Sequence, residues 1–163
     1  MKRAFAFLLA AAVVPAAVSA QMNPRGVASM EGGKITADYG KPSAKGRDVF
    51  SMIVPGSYWR MGADNATKLK TEVPLLIGPG TVQKGEYVLL GQFTSPEEFQ
   101  LIVASGMAGD EPSGVVTKVK GEISKGHDHV EQMTIALEGK PSDAHIVLSW
   151  AGSRIRMPVR IAP

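Results

Sequence analysis

"EYVLLGQFTSPEEFQLIVA", residues 86–104, is the stretch whose reading decides the fold. Its first half is apolar on both faces around Val88 to Leu90, as a strand in the middle of a sheet must be, and its second half, "EFQLIVA", repeats that character. Between them "TSPE" supplies a turn, with a proline where a central strand tolerates none. The pair therefore reads as two antiparallel strands deep in an all-β domain. No stretch of the chain sustains a 3.6-residue apolar period over three turns, so helices are not expected.

Working outward, the same alternation recurs. In "KITADYG", Ile35, Ala37 and Tyr39 share one side, and "TKLKTEV" exposes Lys68, Lys70 and Glu72. "GVVTKVKGEI" points Val115, Thr117 and Val119 inward, and "VEQMTIALE" buries Met133, Ile135 and Leu137. "DAHIVLSWAGSRIRMPVRIAP" reads as a hairpin: Ile146, Leu148 and Trp150 face the core, Gly152-Ser153 suits a two-residue turn, and Ile155, Met157, Val159 and Ile161 return. Pro158 places the returning strand at an edge or a bulge. About eight short strands separated by turn signals predict an antiparallel β-sandwich, jelly-roll-like, in preference to a closed barrel. "ASGMAGDEPSG", residues 104–114, reads as a loop, and "QMNPRGVASMEGG", residues 21–33, as a flexible lead-in.

The first 20 residues have the pattern of an export signal: Lys2 and Arg3, the apolar run "AFAFLLAAAVV", then Val18-Ser19-Ala20 as a small-residue cleavage site. The expected organisation is a signal peptide over 1–20, the lead-in over 21–33 and a single sandwich domain over 34–163, in a periplasmic or secreted protein. Removing 20 residues from 163 leaves 143, enough for one ordinary core without disulfides, and the chain has no cysteine. The whole chain carries +3, but Lys2 and Arg3 belong to the signal, so the remainder holds 16 basic against 15 acidic residues. Such a near-neutral chain lacks the footprint of a nucleic-acid binder, and no segment after the signal is long and apolar enough to span a membrane.

The densest polar and aromatic chemistry lies in "SYWRMGADNAT", residues 57–67. Arg60 offers a planar fork for a carboxylate, phosphate or hydroxyl pair, and Trp59 an apolar plate for a sugar or aromatic ring. The alternative is a structural brace: Arg60 pairs with Asp64 or loop carbonyls, Asn65 takes a left-handed turn position, Thr67 opens a strand and Trp59 fills core. His127 and His129, in "GHDH", open like a cupin metal motif, but Met133 and Thr134 stand where its glutamate is needed. They can hold a weak surface metal or stand solvated at a strand entrance. Ser43 and Lys45 have the spacing of a serine-lysine pair, or simply cap a turn. Arg154, Arg156 and Arg160 share one strand face, which either attracts an anion or protects an edge from aggregation. No cofactor motif is present: "GTVQKGE" has Glu86 where a phosphate loop requires lysine.

Two segments together resemble an exported bacterial family, domain of unknown function 2911. "YGKPSAKGR" and "YWRMGADNAT" are similar to its paired signatures, with Pro42, Ser43, Lys45, Gly46, Arg47, Phe50, Val54, Pro55, Trp59, Arg60, Gly62, Ala63, Ala66 and Thr67 at matching places. Asp64-Asn65 stands where that family has Asn-Glu, and "SGMAGDEPSG" replaces an aromatic-rich segment. The resemblance implies an all-β exported domain and no assigned activity. The expectation is thus a non-enzymatic module of the cell envelope that binds a small polar ligand, a glycan or another envelope protein. Trp59 and Arg60 would make the contact, with Ser43, Lys45, Arg47, Asp64 and Asn65 around them. The alternative is a hydrolase or metal-dependent enzyme using Asp64 with His127 or His129.

Overall fold

A computed structural model describes residues 22–163; the expected signal at 1–20 lies outside the described residues. Ten strands are present: β1 (Arg25–Met30), β2 (Ile35–Gly40), β3 (Tyr58–Trp59), β4 (Thr67–Thr71), β5 (Leu75–Ile77), β6 (Gly80–Val82), β7 (Gly85–Ser95), β8 (Glu98–Ala108), β9 (Glu111–Lys140) and β10 (Asp143–Ile161). All pairings are antiparallel, in the order β1-β2-β4-β7-β8-β9-β10-β5-β6 with β3 beside β7, and the path does not close into a barrel. The opening stretch forms β7 and β8, paired from Val88↔Ala104 to Phe93↔Phe99. Leu89, Leu90, Leu101 and Ile102 are all fully buried, which accounts for apolar residues on both faces.

The two layers of the sandwich are joined by β9, which changes partner midway. Residues 111–121 pair with β8, and from Glu122 onward the strand pairs with β10. Gly121 marks the changeover, where a Cβ would come within 2.8 Å of the Phe99 ring and 2.9 Å of Ile155. Only a residue without a side chain lets the inner faces meet there. Thr117 adds a second tie, its buried hydroxyl donating to Ile77 O at 2.9 Å.

β10 doubles back on itself. Arg156 Nη2 lies 3.4 Å from His145 Nδ1, eleven residues away, and Ile161 N donates to Pro141 O at 2.8 Å; an extended strand of eleven residues would span about 36 Å. The expected hairpin therefore exists, but its left-handed turn residue is Ala151, at φ 50°, and the turn does not begin at Gly152 as expected. β9 runs along both sides of this hairpin, pairing Ser153↔Lys125 on one and Ala151↔Val130 on the other, so that residues 126–129 pass around its tip.

Several expectations change. Residues 25–30, read as flexible lead-in, form β1 in unbroken register with β2; their polar outer face and single buried Ala28 hide the strand pattern. Residues 104–114 are the end of β8 and the start of β9, turned at Gly109 and Asp110, instead of a loop. Val115 is 45% exposed, because a bulge between Val103↔Thr117 and Ala104↔Val115 breaks the alternation. Pro158 is not on an edge strand, since β10 lies between β9 and β5. It falls in the gap between the last β9 pair at Arg156 and the first β5 pair at Val159.

Val119, Leu137 and Ile161, expected inside, are only half-buried against the core, which is otherwise the expected one. Ile35, Ala37, Tyr39, Met133, Ile135, Ile146, Leu148, Trp150, Ile155, Met157 and Val159 are all buried. Each large aliphatic or aromatic among them contributes about 1.5–3 kcal/mol of burial.

Candidate functional site

The long connection from β2 to β3, residues 41–57, stoppers one end of the sandwich. It begins by adding to the edge of β9: Met133 N donates to Pro42 O at 3.0 Å, and Ala44 N donates to Glu131 O at 2.8 Å. Lys45 and Gly46 then turn at φ values of 51° and 69°. Arg47 folds back to close the turn, its Nε donating to Ala44 O and its Nη2 to Ser43 O, both at 2.9 Å. Lys45 N donates to Glu131 Oε1 at 2.9 Å, while His129 Nε2 sits 3.0 Å from Glu131 Oε2. His129 first, and then the Lys45 amide, hold the Glu131 carboxyl below its ordinary value of 4.5. Ser43, Lys45 and Arg47 are thus brought together with His129, and their main-chain bonds anchor the stopper.

Beyond Arg47 the connection inserts Phe50 into an aromatic cluster. Its ring meets Trp59 edge-on at 6.2 Å, Trp150 edge-on at 6.0 Å and Phe93 at 5.5 Å. Trp59 and Trp150 stack at 6.1 Å with planes 11° apart. Grooves open on both flanks of the connection. One, of about 160 Å³, is lined by Arg47, Val49, Met52, Ile53, Trp59 and Trp150. The other, of about 250 Å³, is mostly apolar and includes Phe50, Ile53, Phe93, Ile123 and Lys125. Met52 and Val54 on the connection remain 59% and 68% exposed. Trp150, expected only as core, is therefore also a groove wall, and its buried Nε1 has no hydrogen-bond partner among the described residues.

Arg60, Asp64 and Asn65 turn toward other partners. Arg60 Nη2 pairs with Asp110 Oδ1 at 2.6 Å, and its Nη1 donates to Asp64 O at 3.2 Å. The carboxylate of Asp64 instead accepts from Asn23 N at 2.9 Å. The left-handed position expected at Asn65 belongs to Asp64, with φ 64°, and Asn65 is exposed. Thr67 opens β4 as expected, its hydroxyl donating to Met61 O at 2.8 Å. Nothing in the sequence marks Asp110, because no spacing links a residue at a hairpin tip to one fifty positions earlier.

His127 is exposed, its Nε2 2.7 Å from Ser124 Oγ. Among the described residues no group of three or more His, Asp or Glu side chains could hold a metal ion. Nor is any helix among them long and apolar enough to cross a membrane.

These features define an all-antiparallel sandwich domain with one end closed by an aromatic-anchored connection. The chain belongs to the family described as Protein of unknown function (DUF2911), whose model matches residues 23–159 and so takes in β1 as well as both signature segments. No curated protein and no solved structure matches it.

Proposed function

We propose that this domain is a non-enzymatic binding module of the cell envelope, exported to the periplasm or beyond, and that its contact site is the stoppered end. The carrying observation is the convergence of Arg47 with Trp59 and Trp150 in one groove beside an exposed, apolar connection. A half-buried indole next to a guanidinium suits a sugar ring or another small polar ligand, since the plate takes the apolar face and the remaining N–H donors of the guanidinium take hydroxyl or carboxylate oxygens. Arg47, rather than Arg60, is the contact in this reading: Arg60 is paired with the Asp110 carboxylate, whereas Arg47 meets main-chain carbonyls through Nε and Nη2 and offers its Nη1 to a ligand. Export rests on the pattern of residues 1–20. The hydrolytic alternative asks for Asp64 as acid or base, yet that carboxylate is occupied by the Asn23 amide.

The chain has two tryptophans, and both belong to this cluster. Intrinsic emission therefore reports directly on occupancy. Titration with oligomers of N-acetylglucosamine and of uronic acids should give a saturable emission change with at least one of them. Arg47→Ala should weaken that binding about tenfold, measured by calorimetry. Absence of saturable change with both classes would remove the glycan reading.

A further inference from the structure

The outer face of the second sheet carries Arg154, Arg156 and Arg160. Such a row is usually explained as protection of an exposed sheet edge. That explanation fails, because β10 is flanked by β9 and by β5, so the three guanidinium groups stand on the face of an interior strand. Among the described residues none of them makes an ion pair, whereas Arg25 and Arg60 both do. Glu122 lies opposite Arg156 in the ladder, yet Arg156 Nη2 approaches His145 Nδ1 instead.

Arg154 is the anomaly within the row. Its Nε is buried and has no hydrogen-bond partner among the described residues, a condition that native proteins rarely leave unresolved. Directly across the ladder stands Ser124, whose hydroxyl is 2.7 Å from His127 Nε2. When the ring carries its hydrogen on Nε2 it donates to Ser124 Oγ, and the hydroxyl hydrogen has only a long 3.4 Å bond to Arg154 O to give up in turning toward a stronger acceptor. The ladder thus sets a charged planar fork opposite a weakly bonded hydroxyl and its imidazole neighbour, with Arg156 about 7 Å further along the same face.

We propose that Arg154, Ser124 and His127 form a binding site for a phosphate-type oxyanion, with Arg156 as a second cation. The guanidinium supplies paired N–H donors and charge, and Ser124 supplies the short-range donor that selects a tetrahedral oxyanion over chloride. This site lies on the opposite side of the strands from the groove lined by Ile123, Lys125 and Ser153, so it is independent of the stoppered end.

The test is calorimetric titration of the full folded chain with inorganic phosphate, a hexose phosphate and chloride at constant ionic strength. Saturable binding of phosphate or the hexose phosphate, with none for chloride, is expected; the tighter of the two identifies a free or an esterified ligand. Arg154→Gln should weaken binding at least about fivefold, and Ser124→Ala about threefold with the melting temperature unchanged. Arg160→Gln, beyond the site, should leave affinity as it is. Should Arg154→Gln fail to fold, Ser124→Ala and His127→Ala decide the matter. Lack of saturable binding, or affinity unaltered in the folded variants of Arg154, Ser124 and His127, overturns the proposal.

Discussion

Replacing Phe50 by alanine should release the connection that closes the sandwich. Complete removal of a buried phenylalanine costs about 3–5 kcal/mol. Phe50 is half-buried, so roughly half of that, about 2 kcal/mol, is expected, including the edge-on contacts to the two indoles. A domain of this size loses about 4 °C of melting temperature per kcal/mol, which puts the fall near 8 °C. Far-UV circular dichroism would follow the melt. Emission and acrylamide quenching would follow the tryptophans, whose rings lie 6.2 Å and 6.0 Å from that of Phe50. The variant should show red-shifted emission and greater quenching at temperatures well below the transition, whereas Phe50→Leu should lose less than about 1.5 kcal/mol. A melting temperature within about 2 °C of the parent, together with unshifted emission, would refute the idea that Phe50 holds the connection down.

Three further outcomes follow from particular contacts. Thr117→Val removes the buried bond to Ile77 O, so chemical denaturation should show a loss of about 1 kcal/mol. The Arg60–Asp110 pair has 42% and 87% side-chain exposure; a double-mutant cycle with alanine at each position should return a coupling below about 1 kcal/mol, shrinking as salt is added. Because the carboxyl of Glu131 is depressed below 4.5 by His129 and the Lys45 amide, its contribution is present above that value and is lost as pH falls through the lower folded-state value. The melting temperature of Glu131→Gln should therefore decline less steeply than that of the parent on acidification from about pH 5 to pH 3.

Much of the sheet was legible because strand alternation is a local signal: which of Lys68, Leu69 and Lys70 is buried follows from the pleat alone. The signal failed where the strand carried few apolar residues. β1, with only Ala28 buried, reads as loop until β2 is beside it. It failed again at bulges such as the one at Val115, where one extra residue reverses the faces. Of the candidate site, the signature segments named Arg47 and Trp59, but not that Trp150 would stack on Trp59 or that Asp110 would take Arg60.

Taken by itself, the order of residues determined the all-β class, the inward faces of most strands and the hairpin at the C-terminal end, since each depends on neighbours a few positions apart. Tertiary structure alone decided which loops meet. Residues 41–57 lie against β9 and Trp150 because the unpaired edge of β9 offers hydrogen bonds at Glu131 and Met133, and because the end of the core exposes aromatic surface that Phe50 covers. These are contacts across roughly a hundred residues of chain. No local pattern encodes them, and they are what divides Trp59 and Arg60, adjacent in sequence, between a groove and an ion pair.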